Sequence, residues 1–277
     1  LYRFAKQEAT TMFKLIFKAI LITKHVPASW TKTKTIMLYK KSDPTLPGNW
    51  RPIGITSTMY RVFTAHISAF INIENKKKDV FHPSQRGFIG GRGNGAHDHI
   101  NSLNELIAHA KRTNSKCVLT AIDLTNAFGS VPHQLIFDTL KQKGFGSTFR
   151  TIIEDLYANS ETSIEVKSQR SETIKIRRGV IQGCPLSPLL FNCCIDPLLT
   201  HLERFNFEDG ITLEYNNGPF TVTAQAYADD LVLISKSKEA AENMINALTT
   251  YCNRTSLIIA PKKCISIVEG YEEVPQI

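Results

Sequence analysis

The sequence predicts an α+β fold carried on an antiparallel sheet. Three observations predict it. Apolar residues recur at helical spacing through the first part of the chain, two hairpin signals follow, and short strand-like runs alternate with helices in the second half.

Residues 1–24 read as an amphipathic helix, with Phe4, Met12, Leu15, Ile16, Ala19 and Ile20 on one stripe. Residues 34–40 read as a strand, 43–49 as a loop holding two prolines and a glycine, and 51–55 as a second strand. A helix is expected over 57–73, then a loop-like stretch over 76–95 with a lysine run and the glycine-rich 90–95. Helical spacing returns with His99, Leu103, Leu106, Ile107 and Ala110. Residues 118–124 form a buried-looking strand that ends in Asp123. Pro132 sits just inside the next helix, with Ser130 as its cap and Gly144 as its stop. Residues 162–166 and 173–176 alternate as hairpin arms. Ser187-Pro188 opens a long apolar helix to about Phe205, which Pro197 is expected to bend. A second hairpin turns at Asn217-Gly218, and its second arm runs from Thr221 into Asp230. A strand over 231–235, a helix over 239–254 and strands at 257–259 and 265–268 complete the series.

A chain of 277 residues is long enough for one large domain or two modest ones, each with its own core. Its 42% hydrophobic and 21% charged content argues against disorder over most of the length. Lysine and arginine number 33 against 25 acids, a net charge of +8. That excess favours a polyanionic partner, because neutralising phosphates releases condensed counterions; a merely basic globular protein is the alternative. The six cysteines form no C-x-x-C pair and adjoin no histidine comb, which argues against zinc and for buried thiols in a reducing compartment. No signal peptide is visible, and no apolar run approaches the roughly 20 residues of a membrane span. The most apolar early run, 13–22, is broken by Lys14 and Lys18. A soluble, intracellular protein without a membrane partner is expected. The chain begins at Leu1 inside a helical pattern and stops soon after its last strand, as a piece of a longer polypeptide would.

The acids carry the chemistry. Asp123 stands among Leu119, Ala121, Ile122 and Leu124, and the Asp229-Asp230 pair is followed by Leu231, Val232, Leu233 and Ile234. A carboxylate in such a run is costly unless a cation or hydrogen bonds compensate it. If Asp229 and Asp230 occupy a hairpin turn, both project from one sheet end, where Asp123 can meet them from a neighbouring strand. Three converging acids repel, and a divalent ion relieves the repulsion; oxygen ligands select a hard one such as Mg²⁺. Two such ions about 4 Å apart suit phosphoryl transfer. An ordinary Asp-Asp turn is the plain alternative.

Tyr227-Ala228-Asp229-Asp230 resembles the Tyr-x-Asp-Asp centre of reverse transcriptases, and the run from Ala121 through Asp123, Phe128 and Val131 resembles their first palm motif. Arg178-Gly179-Val180-Ile181-Gln182-Gly183-Cys184-Pro185-Leu186-Ser187-Pro188-Leu189-Leu190-Phe191-Asn192 looks like their template- and nucleotide-binding segment. Asn49-Trp50-Arg51-Pro52-Ile53 and Gln85-Arg86-Gly87-Phe88 look like fingers motifs of non-long-terminal-repeat (LINE-type) retrotransposon enzymes. Ile259-Ala260-Pro261-Lys262-Lys263 resembles the later palm motif, with Ala260 where asparagine is usual.

The resemblance implies a right-hand polymerase fold of fingers and palm on an antiparallel palm sheet, without a thumb. Fingers would span 1–115 and return near 133–182, and the palm would occupy the rest of 116–277. It implies an RNA-directed DNA polymerase that adds deoxynucleotides to a DNA 3′-hydroxyl on an RNA template during target-primed insertion, in the nucleus when acting on target DNA. Two Mg²⁺ ions would be held by Asp123, Asp229 and the carbonyl of Leu124, with Asp230 beside them. Phe128 would exclude a 2′-hydroxyl, Gln182 and Gly183 would line the nucleotide pocket, and Lys40 and Arg51 would hold the triphosphate. Lys263 would protonate the departing pyrophosphate. Read without the motifs, Phe128 suits a core, Lys40 and Arg51 suit solvated surface, and Gln182-Gly183 suits a turn. The rival functions are a catalytically decayed element copy that only binds nucleic acid, and a group II intron maturase-like enzyme.

Overall fold

The computed structural model describes residues 6–91, 95–215 and 218–271. In chain order the elements are α1 (Lys6–Thr23), β1 (Lys32–Tyr39), β2 (Trp50–Ile55), α2 (Thr58–Lys78), α3 (Ala96–Thr113), β3 (Cys117–Ile122), α4 (Ala127–Ser130), α5 (His133–Gln142), α6 (Ser147–Ala158), β4 (Glu161–Val166), β5 (Gln169–Arg170), β6 (Ile174–Lys175), α7 (Ser187–Phe205), β7 (Ile211–Tyr215), β8 (Gly218–Val222), β9 (Ala224–Tyr227), β10 (Asp230–Ser235), α8 (Lys238–Thr255) and β11 (Ile265–Glu269). Most match the sequence reading to within a few residues. Four points differ. α2 runs on through the lysine run to Lys78. Pro132 precedes α5 rather than opening it, and the Ser130 hydroxyl donates to the Thr125 carbonyl instead of capping that helix. α6 is a helix that the sequence reading does not include, with Ile152, Ile153, Leu156 and Tyr157 at helical spacing and buried. The long hairpin arm breaks at Thr223 into β8 and β9, which belong to different sheets. Residues 216–217 lie outside the described residues, as do 92–94 of the glycine-rich stretch.

Leu1–Ala69 and His133–Ser187 pack as one unit, and Phe70–Pro132 and Pro188–Ile277 as a second. In the second unit α3 buries Leu106 and Ala110 against Cys117, Leu119 and Ile234 of the sheet.

The first unit is built on a mixed sheet in the order β2-β1-β4-β5, with β6 also on β4. β1 and β2 are antiparallel, Lys34 opposite Ile55 through Tyr39 opposite Trp50. β1 and β4 run parallel, a pairing between distant segments that local hairpin signals cannot announce. Phe63 of α2 anchors the helices, edge-on to Phe17 at 5.0 Å and tilted against Trp30 at 5.9 Å. The Asp155 carboxylate on α6 accepts the Val26 N–H at 2.7 Å, satisfying a donor just beyond α1.

The second unit holds a four-stranded antiparallel sheet, β11-β3-β10-β9. β3 lies between two partners, with Leu231 opposite Ile122 on one side and Ile265 opposite Ala121 on the other. That position explains its nearly continuous apolar run. α7 is apolar almost all round, and Leu189, Leu190, Phe191, Cys193, Cys194 and Leu198 are all buried. α8 places Ala240, Met244, Leu248 and Cys252 inward, and its first turn is capped by Ser237, whose hydroxyl accepts the Ala240 N–H. Five cysteines are buried free thiols and Cys264 is half-buried; burial pushes Cys117 and Cys252 up to about 11. No described helix is long and apolar enough to cross a membrane.

Candidate active site

β9 and β10 form a hairpin in which Tyr227 pairs with Asp230, leaving Ala228 and Asp229 as its two-residue turn. Ala228 has φ +55, a left-handed conformation that such tight turns demand and that a side chain disfavours. The register of β10 on β3, carried one step past Leu231 and Ile122, sets Asp230 across from Asp123. All three acids therefore stand at the same end of the sheet, with Asp229 in the turn and Asp230 opening β10, one residue off the Asp229-Asp230 turn suggested by the sequence. Asp229 is half-buried and Asp230 exposed.

Asp123 follows the last residue of β3. Its carbonyl accepts the Ala260 N–H at 2.9 Å, and its carboxylate Oδ2 accepts from Lys263 Nζ at 2.9 Å. The Lys263 ammonium is thus a direct ion-pair partner of Asp123. Leu124 and Ile259 form an isolated antiparallel bridge. The bonds Thr125 N–H to Ile258 and Ala260 N–H to Asp123 flank it, so this is a non-hydrogen-bonded pair. In such a pair each residue's own carbonyl points away from the partner strand. The Leu124 carbonyl accordingly faces the β10 side.

The donors at this sheet end are carboxylate and carbonyl oxygens, a set that fits a hard divalent ion. Among the described residues, no three acid, histidine or cysteine side chains already form a closed metal-holding group. Asp123 is instead compensated by Lys263. A groove of about 660 Å³ between α8 and β11 is lined by residues such as Leu248, Cys252, Ile258 and Ile259, and by no Asp, Glu, His, Lys or Arg. Its lining has no acid–base chemistry, so the carboxylates mark the site better than the cavity does.

Phe128 lies on the one-turn α4 and stacks on Phe191 of α7, centroids 4.6 Å apart and planes 9° apart. It is half-buried, so the ring is held by the core yet keeps one open side. Sequence reasoning passed over two buried amides as functional residues. Gln85 is fully buried, and its Oε1 accepts the Ala228 N–H at 2.8 Å and the Gly87 N–H at 2.9 Å. Asn192 of α7, also fully buried, donates to the Gly87 carbonyl at 2.7 Å. The signal available was a polar side chain between Pro83 and Gly87 and another inside the apolar run of α7.

The other predicted residues belong to the first unit. Lys40 closes the β1–β2 hairpin, its N–H donating to the Asn49 carbonyl at 2.9 Å. Arg51 pairs with Leu38, so pleat alternation places Lys40 and Arg51 on one face. Both are exposed. β2 is an edge strand, and its Gly54 N–H donates to the Gln182 carbonyl at 2.7 Å. Gly183, at φ +104, lies so close that an added Cβ would meet the Gly54 carbonyl oxygen at 2.7 Å. The Gln182-Gly183 turn is thereby stitched to the strand that carries Arg51.

Three comparisons bear on what this arrangement is. A family model described as reverse transcriptase (RNA-dependent DNA polymerase) matches residues 39–272. A transposon TX1 uncharacterized 149 kDa protein of Xenopus laevis is 29% identical over 245 residues, 88% of this chain and 18% of that protein. A Pol polyprotein from a type-1 retrotransposable element R2 of Nasonia vitripennis is 29% identical over 91% of this chain and 23% of its own length. The corresponding polyprotein of the type-2 element R2DM of Drosophila melanogaster is 27% identical over 95% of this chain and 24% of its own length. The chain thus spans about a fifth to a quarter of these relatives. Among solved structures, apo telomerase from Candida tropicalis truncated from its C-terminal domain superposes with a TM-score of 0.63 at 12% identity, covering 95% of this chain and 56% of that one. At that identity the likeness concerns the fold, an α+β architecture with an antiparallel sheet. The family match covers most of the chain, and on it this protein belongs to the reverse transcriptase (RNA-dependent DNA polymerase) family.

Proposed function

We propose that this chain is the polymerase core of a non-long-terminal-repeat retrotransposon protein, adding deoxynucleotides to a DNA 3′-hydroxyl on an RNA template in target-primed insertion. One observation carries the reading: Asp123, Asp229 and Asp230 stand at the same end of the β3–β10–β9 sheet in a chain of the reverse transcriptase family. Family members work with divalent metal ions. Here Asp123 and Asp229, with the Leu124 carbonyl, would hold two Mg²⁺ ions, and Asp230 would add negative charge beside them. When bound, such ions favour the attacking 3′-oxygen and neutralise the leaving oxygen.

The chain's own residues supply the rest of the reading. Lys40 and Arg51, on one exposed strand face, would bind the triphosphate as cations matched to polyphosphate oxygens. Gln182 and Gly183 would line the nucleotide pocket, their turn anchored to β2. Phe128 would exclude a 2′-hydroxyl, because its stacking on Phe191 keeps the ring from yielding. Lys263 would give its proton to pyrophosphate, and its pairing with Asp123 keeps the ammonium at the carboxylate end. The fingers would span 1–115 and return near 133–182, and the palm would occupy the rest of 116–277. Work on genomic target DNA would place the protein in the nucleus.

A template-swap extension assay tests the reading. RNA and DNA templates are each primed with DNA and supplied with dNTPs or rNTPs and Mg²⁺, with Asp229→Ala as control. Incorporation of dNTPs on RNA that Asp229→Ala abolishes is the expected result. Equal absence of incorporation in both proteins would favour a decayed copy that only binds nucleic acid.

A further inference from the structure

The turn that carries Asp229 is held from outside its own hairpin. Ala228 sits at φ +55 although it bears a Cβ; the two-residue turn asks for that conformation but does not remove its cost, and a contact from outside the hairpin also meets it. What meets it is the segment around Gln85. Gln85 bridges Ala226 in parallel register, with the Arg86 N–H donating to the Ala226 carbonyl and the Ala226 N–H to the Ser84 carbonyl, each at 2.9 Å. The Gln85 carboxamide then reaches past the strand end. Its oxygen takes the Ala228 and Gly87 N–H groups together, and its Nε2 donates to the Ala228 carbonyl at 3.4 Å. Both short bonds require oxygen at that position, which fixes the amide's orientation. Gly87 is part of the fit, since an added Cβ would lie 2.4 Å from the Ala228 nitrogen.

We propose that Gln85 is a positioning residue of the active site: its buried amide clamps Ala228 in the left-handed conformation that aims the Asp229 carboxylate. Asp229 follows Ala228 directly, so any relaxation of φ at Ala228 moves the Asp229 carboxylate relative to Asp230, which the ladder holds opposite Tyr227. A buried glutamine is a demanding choice for a merely structural contact, because its polar atoms must all be paired when water is excluded. Here its oxygen is spent on the turn's own backbone. Asn192 fixes the other end of the device through the Gly87 carbonyl. The clamp itself is a statement about geometry, and its catalytic consequence rests on the polymerase reading above.

The test reads the clamp and its consequence separately, on the full chain. Hydrogen exchange of the Ala228 amide, measured without metal or nucleic acid, is expected to quicken about 10-fold or more in Gln85→Ala. Amides of the β3–β10 ladder should keep their rates. Gln85→Glu, whose carboxyl oxygen can accept the same two N–H groups, should stay within about threefold of the parent. Gln85→Met fills the same space without an acceptor and carries the test if Gln85→Ala fails to fold. An unchanged Ala228 amide overturns the proposal, and so does acceleration spread evenly over the whole sheet. In primer extension, Gln85→Ala should lower kcat about 10²-fold with dNTP KM within about threefold. In an Ala228→Gly background, where positive φ is no longer disfavoured, the same change should cost only about 10-fold. Equal losses in both backgrounds overturn the catalytic consequence. A parent chain without incorporation but with the expected exchange pattern would sink the polymerase reading and leave the clamp standing.

Discussion

In the first unit the charged candidate side chains are exposed cations of the β1–β2 hairpin; in the second they are carboxylates at one end of the β3–β10–β9 sheet. Lys40 and Arg51 face solvent on one side of β1–β2, where water satisfies them until a ligand arrives. In the second unit Asp123 pairs with Lys263, and a fully buried glutamine accepts the N–H of Ala228 in the turn that carries Asp229. The difference follows from charge and geometry. Cations that embrace a flexible polyphosphate can adapt to it, whereas oxygens that must share a small ion have to be placed beforehand.

The first way to break this comparison is to neutralise one charge in each unit. Asp123→Asn and Asp229→Asn should each lower extension by at least ~10³-fold, since an amide cannot replace a carboxylate's charge on a divalent ion. Arg51→Ala and Lys40→Ala should act more mildly, by roughly 10- to 100-fold and mainly through dNTP KM, because the loss is binding to a ligand already multiply charged. Steady-state kinetics on one RNA template decide it. Equal losses from both sets would mean that the exposed cations are as finely placed as the acids.

Phe128 sharpens the comparison inside the second unit, where one ring serves both packing and selection. Phe128→Val should raise rNTP use relative to dNTP use by ~10-fold or more, in the manner of a pocket that loses a steric wall. It should also lower stability by about 1–3 kcal/mol, because Phe191 loses a stacked partner and a void opens beside it. Competitive incorporation and urea unfolding measure the two effects. A stability loss without any change in sugar discrimination would return Phe128 to the core.

How much of this was legible in the sequence depends on how local the signal was. The Tyr227 hairpin, β3 with Asp123, and the periodic helices α3, α7 and α8 could be read because neighbouring residues determine them. The parallel pairing of β1 with β4 could not, since Lys32 and Glu161 become neighbours only through the fold. The same holds for Gln85. Its segment was legible as a motif, but its partner lies 143 residues away at Ala228. Lys263 was singled out by its motif for a proton-donating role, yet its ion pair with Asp123 spans 140 residues and shows only in coordinates. α6 is a short helix between Gly146 and a hairpin, and its burial of Ile152, Ile153, Leu156 and Tyr157 shows in the fold.

The smallest expected effect asks whether the two cores melt separately. His133 in the first unit and His99 in the second both titrate below their ordinary value near 6.5, chiefly because burial penalises the charged ring, with Arg86 adding to the effect at His99. Over the interval between the depressed and the ordinary value, the unfolded chain binds more protons than the folded one. Stability contributed by each neutral ring is therefore complete above the ordinary value and is lost as pH falls through and below it. Unfolding in urea between pH 7.5 and 5 should show that decline, and His133→Gln or His99→Gln should each flatten it. Both tryptophans, Trp30 and Trp50, belong to the first unit, so fluorescence reports that core while circular dichroism reports both. His133→Gln should flatten the fluorescence-monitored slope and His99→Gln should leave it unchanged, appearing in dichroism only. If His99→Gln moves the tryptophan signal equally, the cores unfold as one cooperative body, and the acids of the second unit draw their rigidity from the first as well.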